Sequence, residues 1–435
     1  MERVAHSSLL AWKHDVARKP LILRGARQVG KTWLLREFGR REYERTAYVN
    51  CQGDPSATAV FAGRLEADQL LRGLAIAAGT EIEPDSTLLI IDEIQEAPAA
   101  LTALKYLQEQ RPDIHVVAAG SLLGVALRSS GASFPVGKVA FLDLHPLDFD
   151  EFLRAVGEEA LADLVTERDW GLIDPFHDRL VELLRQYLFV GGMPEPVARF
   201  AATGSFEDAR RLQDDILAGY ANDFATYAPP LVSRRIAEAW ASLPAQLARE
   251  QGRYIFSHIR DGARARDFAE AVQWLSDSGL VHRVPRFSKP ASPLSAYVDA
   301  RIFKLFLLDV GLLGALSRLA PSVLLQGEGI FEEFKGALTE QYVLQQIVAA
   351  RHEEPAYWSS EKASAEVDFA IERAGHVVPI EVKATTNVKS KSLRSYLDRF
   401  HPRTAWRFSL ARFREQGDVT NIPLYAIGPA LRREG

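Results

Sequence analysis

Residues Pro20 to Phe38 read PLILRGARQVGKTWLLREF, and the segment GARQVGKT inside that stretch limits what the chain can fold into more than any other feature. A short apolar run, Leu21 to Leu23, leads into Gly25-Ala-Arg-Gln-Val-Gly30-Lys31-Thr32, after which Trp33, Leu34, Leu35 and Phe38 recur at helical spacing. Strand, glycine-rich loop and helix in that order satisfy the P-loop pattern in the context it requires. Gly25 and Gly30 let the backbone turn so that successive N–H groups point at phosphate oxygens, helped by the positive end of the following helix. The candidate nucleotide contacts are Gly25, Ala26, Gln28, Val29, Gly30, Lys31, Thr32 and Trp33. Lys31 is expected to reach the β- and γ-phosphates of ATP, and the Thr32 hydroxyl to take a position on Mg²⁺.

A P-loop requires a second acidic element downstream, and Thr87 to Glu93 supplies it. TLLII is a continuous apolar run suited to a buried parallel strand, and it ends in Asp92-Glu93. Asp92 is expected to hold Mg²⁺ and Glu93 to polarise the attacking water. A third apolar strand, Ile114 to Ala119, runs into Gly120-Ser121, where Ser121 either senses the γ-phosphate or caps the following helix. A P-loop kinase is a weaker reading. Glu93 directly after Asp92, on a strand set apart from the P-loop by an inserted one, favours water as the phosphoryl acceptor.

The C-terminal third holds a separate constellation, EVDFAIERAGHVVPIEVK, from Glu366 to Lys383. A hairpin turning at Ala374-Gly375 pairs Arg373 with His376, Ile371 with Val378, Phe369 with Ile380, Asp368 with Glu381, and Val367 with Val382. That register sorts Val367, Phe369, Ile371, Val378, Ile380 and Val382 to one face, and Glu366, Asp368, Glu381 and Lys383 to the other. Asp368 and Glu381 are candidate ligands for a second divalent ion, Mg²⁺ or Mn²⁺, with Glu340 on an upstream helical segment as a further carboxylate. Lys383 is the candidate for deprotonating or orienting a metal-bound water. The bland alternative is a cross-strand ion pair between Lys383 and Glu366.

Bulk properties narrow the partners. Net charge is −5, yet Lys383 to Gly435 carries 11 Lys and Arg against 4 Asp and Glu, a basic end that fits polyanions such as DNA or RNA. Cys51 is the one cysteine, so no internal disulfide forms and a reducing, cytoplasmic setting is expected. The most apolar run, LFLLDVGLLGAL from Leu305 to Leu316, is too short to span a bilayer and is expected as a core helix; no membrane partner is expected. Gly252 to Phe287 suggests two helices and a strand. A nucleic-acid reading of that segment puts Arg264 and Arg266 near DNA with Arg283, Arg286 and Lys289 on a wing. Asp267, Glu270 and Asp277 on the same recognition element favour a structural or protein-contact role instead.

In GARQVGKT, LLIIDEIQ and AAGSLLG the chain resembles the AAA-type P-loop ATPases of bacteria and archaea. Two further segments fit that resemblance, HPLDFDEF (145–152) and YLFVGGMPEPV (187–197). Where the family has Gly-Arg, a potential finger toward a neighbouring subunit, this chain has Gly137-Lys138, and Arg128 is the substitute candidate; a homo-oligomer is possible but not required. The order Glu340, Asp368, Glu381-x-Lys383 with Tyr357-Trp358 resembles the PD-(D/E)XK nuclease fold, which the same family carries at its C-terminus. The expected architecture is α/β: an AAA-type P-loop sheet over 1–147, a helical lid over 148–215, a connector with a winged-helix-like segment over 216–330, and a PD-(D/E)XK nuclease-like domain over 331–435. The resemblance implies Mg-dependent ATP hydrolysis coupled to a C-terminal domain that acts on or binds DNA or RNA, or else an ATP-driven switch whose C-terminal domain binds nucleic acid or protein without cutting.

Overall fold

The computed structural model describes residues 1–63, 65–125, 137–249, 252–322, 332–351, 355–360, 365–386 and 390–432. They form two compact units: Glu2–His145 with Asp277–Gly279, and Pro146–Ser276 with Leu280–Gly435.

The first unit is built on five strands, β1 (Leu21–Arg24), β2 (Arg45–Asn50), β3 (Thr87–Asp92), β4 (His115–Ala119) and β5 (Ala140–Asp143), in the order β2-β3-β4-β1-β5. Every pairing is parallel, with Leu21 opposite Val117 and Ala140, and Ile90 opposite Val117. All six residues of β3 are buried, as expected of a parallel strand covered on both faces. One face packs Ile22, Val49, Leu89, Ile91 and Ala118 against Leu70, Leu74, Leu101 and Leu104 of two covering helices. Because all five strands run the same way, the loops after β1, β3 and β4 open at one edge, where ligands bind in sheets of this type. The inserted strand that the acid pair suggested is β4.

The second unit begins with helices and ends in a sheet of eight strands. They are β6 (Val281–Phe287), β7 (Val298–Leu307), β8 (Ala356–Ser359), β9 (Glu366–Arg373), β10 (His376–Lys383), β11 (Ala405–Ser409), β12 (Arg414–Gln416) and β13 (Val419–Pro423), ordered β12-β13-β11-β10-β9-β8-β6-β7. Strands β6 and β7 come from the segment read as a connector, yet they join the sheet of the C-terminal strands. The helix Ala265–Asp277 precedes this hairpin. Its basic neighbours are tied locally: Arg286 lies 4.0 Å from Asp299, Arg266 lies 3.8 Å from Asp267, Arg283 donates to the Ala300 carbonyl, and Lys289 lies over the Tyr297 ring.

The β9–β10 hairpin turns at Ala374 (φ 48°) and Gly375 (φ 75°), the two left-handed residues of a type I′ turn. Its ladder runs from Arg373–His376 to Phe369–Ile380 as the alternation requires. Beyond that point the regular register stops. Asp368 does not continue as a ladder partner of Glu381; its carboxylate accepts the Val382 N–H at 2.7 Å, and β9 also shifts register against β8. A side chain that bonds the neighbouring backbone displaces the carbonyl that would have done so, which ends the ladder.

LFLLDVGLLGAL is not one helix. Leu305 to Leu307 finish β7, and a short helix, Val310–Leu316, starts after Asp309, whose carboxylate caps it by accepting the Leu312 N–H at 3.0 Å. Asp309 is buried, and it also accepts the Gly192 N–H at 2.6 Å and the Gln345 amide at 2.9 Å. This hub explains two sequence hallmarks together. Leu147 of the PLDF segment donates its N–H to the Gly192 carbonyl at 2.7 Å, and a Cβ on Gly192 would lie 2.1 Å from the Leu147 carbonyl oxygen. The glycine pair is there because two backbones and a buried carboxylate meet at that point.

Candidate functional site

The loop after β1 needs backbone conformations most residues avoid. Gly25 sits at φ +150°, and a Cβ there would lie 2.3 Å from the Leu144 carbonyl oxygen. Gln28 is held at φ 67°, and Gly30 at φ 92° caps the helix Lys31–Glu42. The loop is braced by Arg3, whose guanidinium donates to the Val29 carbonyl at 3.0 Å and to the His145 carbonyl at 2.7 Å. Sequence reasoning missed Arg3, because nothing near Met1 carries a pattern that points to a loop some 25 residues on.

Lys31 is buried and donates to the Gly25 and Ala26 carbonyls at 3.0 and 2.7 Å. Burial lowers its ammonium to about 8 against the pull of Glu93 and Asp92. The ammonium is the form that pairs with phosphate, so ATP affinity is expected to fall as pH rises through about 8, by up to about tenfold per pH unit, with proton uptake on binding. Calorimetric titration in buffers of differing ionisation enthalpy checks this; affinity that stays flat from neutral to strongly alkaline pH contradicts it.

The acids stand as the sequence places them. Thr32 Oγ1 donates to Asp92 Oδ2 at 2.7 Å, and the Tyr48 hydroxyl donates to the same oxygen at 2.9 Å. A hydroxyl and a carboxylate side by side beside the phosphate loop are the donor set Mg²⁺ takes in P-loop enzymes, so these residues fit that ion. Glu93 follows at φ 50°, ψ 46°, a strained conformation for a residue with a long side chain. Its Oε2 accepts from Gln95 Nε2 at 2.5 Å and from Ser121 Oγ at 3.0 Å. Ser121 is thus brought to Glu93. Gln95 and Tyr48 were not singled out from sequence; Gln95 stands in the quoted LLIIDEIQ, two residues past Glu93, and was the available signal. Trp33, on the first helical turn, is exposed. Cys51 is buried near Asp92 and burial raises its thiol to about 12, so it is no nucleophile. Lys138 lies 2.9 Å from Glu109, and Arg128 lies outside the described residues.

In the second unit the carboxylates gather around a residue absent from the sequence reading. Lys304, on β7, is 1 % exposed and lies 2.6 Å from Glu366 and 3.1 Å from Glu340. Burial works against its charge, yet Glu340, Glu366 and Asp368 hold it well above its ordinary value. Burial, with Glu381 and Glu340 adding to it, pushes the Asp368 carboxyl well above the usual range. Glu381 Oε1 accepts from Ser390 Oγ at 2.7 Å and lies 2.7 Å from Lys383 Nζ, while Glu381 Oε2 is buried without a partner among the described residues. Lys383 is therefore paired with Glu381 and not with Glu366. Burial opposes its charge, but Glu381 and Asp368 keep the ammonium raised. Among the described residues, no three His, Cys, Asp or Glu side chains are grouped so that they could hold a metal ion.

A five-stranded parallel sheet with a P-loop after β1, a Thr–Asp pair and a Glu held by a polar partner from the loop after β4 define a P-loop nucleotide hydrolase. The more particular assignment comes from comparison: residues 17–153 match the model of the AAA domain, and the first unit is an AAA-type ATPase domain. Residues 181–323 and 335–425 match two domains of unknown function, DUF8612 and DUF4143. No curated protein matches the chain. Solved structures similar to it include a Walker-type ATPase of Pyrococcus abyssi, at 14 % identity and TM-score 0.44 over 73 % of this chain and 95 % of that one. The ORC2 protein of Aeropyrum pernix matches at 14 % identity and TM-score 0.37, over 78 % and 94 %. DnaA of Aquifex aeolicus matches at 12 % identity and TM-score 0.26, over 63 % and 88 %. No helix among the described residues is long and apolar enough to cross a membrane.

Proposed function

We propose that this protein is an ATP-driven switch whose first unit hydrolyses ATP and whose C-terminal sheet binds nucleic acid without cutting it. In the first unit the loop N–H groups from Gly25 to Thr32 receive the phosphates, and Lys31 exchanges its two carbonyl partners for phosphate oxygens. When Mg²⁺ is bound, it supplies charge neutralisation at the phosphates. Thr32 and Asp92 would hold it. Glu93 Oε1 orients a water and accepts its proton, while Ser121 and Gln95 fix the carboxylate through Oε2. Lys138, paired with Glu109 at the surface, has no bidentate fork with which to act as an arginine finger toward another subunit, and this reading is of a monomer or loose oligomer.

Lys304 carries the choice between a switch and a nuclease. Its ammonium already serves Glu366 and Glu340, the latter one of the three carboxylates expected to share a second divalent ion; of the other two, Asp368 accepts the Val382 N–H and Glu381 is paired with Lys383 and Ser390, so Mg²⁺ or Mn²⁺ does not fit the set as it stands. Lys383, held charged by Glu381, is also in the wrong state for a general base, which needs a lowered pKa. EVDF and IEVK support a nuclease-like fold for this segment as part of the same reading, and the basic end supports a polyanion partner. The test is a panel of labelled DNA and RNA incubated with Mg²⁺ or Mn²⁺, with Asp368→Ala and Lys31→Ala alongside. Wild type is expected to leave every substrate intact. Cleavage by wild type that Asp368→Ala abolishes reinstates the nuclease and overturns this reading.

A further inference from the structure

Strand β11 lies parallel to β10, with Arg407 directly opposite Glu381, so the two side chains project from the same sheet face. Above them runs the helix Lys391–Phe400, whose N-cap Ser390 bonds Glu381. Between this helix and β11 and β13 there is a groove of about 970 Å³, lined among others by Lys391, Arg394, Asp398, Arg399 and Arg407. Four cations against one acid make it basic, although Arg394 is partly engaged with Asp398 at 3.5 Å.

Arg407 distinguishes this groove from a solvated basic surface. It is 8 % exposed, its Nη1 reaches Gln416 only at 3.3 Å, and its Nε is buried with no partner among the described residues. A buried guanidinium N–H left without an acceptor is costly, and a planar fork facing a groove matches a phosphate. The exposed Lys391, Arg394 and Arg399 extend the positive charge along the helix, as a chain of phosphates rather than a single anion requires.

We infer that the groove between the Lys391–Phe400 helix and strands β11 and β13 seats the phosphodiester backbone of a nucleic acid, with Arg407 as its buried anion contact. This rests on the reading of the second unit as a nucleic-acid binder and gives that reading its place. The phosphate on Arg407 lies one strand over from Glu381, whose charge Lys383 pairs at 2.7 Å, so the backbone passes a neutralised carboxylate rather than a bare one.

The test is fluorescence anisotropy of labelled single-stranded DNA, single-stranded RNA and duplex DNA on the full chain across a salt series. Arg407→Gln is expected to weaken binding about tenfold or more, and to shallow the logarithmic salt slope by about one. Arg394→Glu, an exposed change that spares the core, is expected to weaken it in the same direction. Arg301→Glu, far out on β7, serves as the control and is expected to leave it unchanged. Oligonucleotides that bind wild type, Arg407→Gln and Arg394→Glu equally overturn the groove while leaving nucleic-acid binding in place. A wild type that binds no oligonucleotide at low salt overturns both. Capture of inorganic phosphate or pyrophosphate, measured by calorimetry on the Lys31→Ala chain, without any oligonucleotide binding, overturns the nucleic acid as occupant.

Discussion

Replacing Glu93 with glutamine is expected to lower ATP turnover roughly 10²- to 10⁴-fold, the usual worth of a positioned general base, while nucleotide binding persists. The amide keeps the size of the carboxylate and its bonds to Ser121 and Gln95, which lie at 3.0 and 2.5 Å from Oε2, but it cannot take a proton from water. Phosphate-release kinetics and calorimetric titration, run in parallel on wild type and Glu93→Gln, separate the two effects. Turnover within a factor of a few of wild type would remove Glu93 from the chemistry and leave its strained backbone without a function.

Lys304→Met is expected to be the most damaging single change in the second unit. The substitution keeps the length of the side chain but leaves Glu340, Glu366 and Asp368 without their shared cation in a site where Lys304 is 1 % exposed. Removing one partner of a buried ion pair costs about 3–5 kcal/mol, a large part of a typical domain's stability. The pH dependence has a definite sign. Burial, with neighbouring charge, raises Glu366 and Asp368 in the folded state, so their contribution is fully present below about pH 4, the ordinary carboxylate range, and is lost as pH rises through the raised values. The deficit of Lys304→Met is therefore expected to shrink on acidification and grow toward alkaline pH, as read by urea unfolding of the second unit at several pH values. A variant as stable as wild type across that range would show that Lys304 is not the counter-ion of the cluster.

The first unit's site was largely legible because its chemistry is local. GARQVGKT encodes its own loop geometry through Gly25 and Gly30, and a continuous apolar strand announces that whatever follows it, here Asp92-Glu93, stands at a sheet edge. The hairpin register was legible as far as alternation held, from Arg373–His376 to Phe369–Ile380. It failed at Asp368, where a side chain competes with the ladder for the Val382 N–H, and no pattern of apolar and polar residues encodes that competition. Lys304 was illegible as a partner, since it meets acids 36 and 62 residues further on. Its sequence context still held a signal: one lysine inside the run IFKLFLL is a charge that the fold has to satisfy in the core. The same holds for Asp309, read as an interruption of an apolar helix when it is the cap that creates the helix.

In the proposed switch, the nucleotide in the first unit governs what the second unit binds. Oligonucleotide affinity of Glu93→Gln, measured by anisotropy with saturating Mg·ATP and again with saturating Mg·ADP, tests it most directly. The two affinities are expected to differ by at least about fivefold, the lower end of ordinary allosteric coupling, with no difference in the Lys31→Ala background. Equal affinity in the two nucleotide states would contradict it.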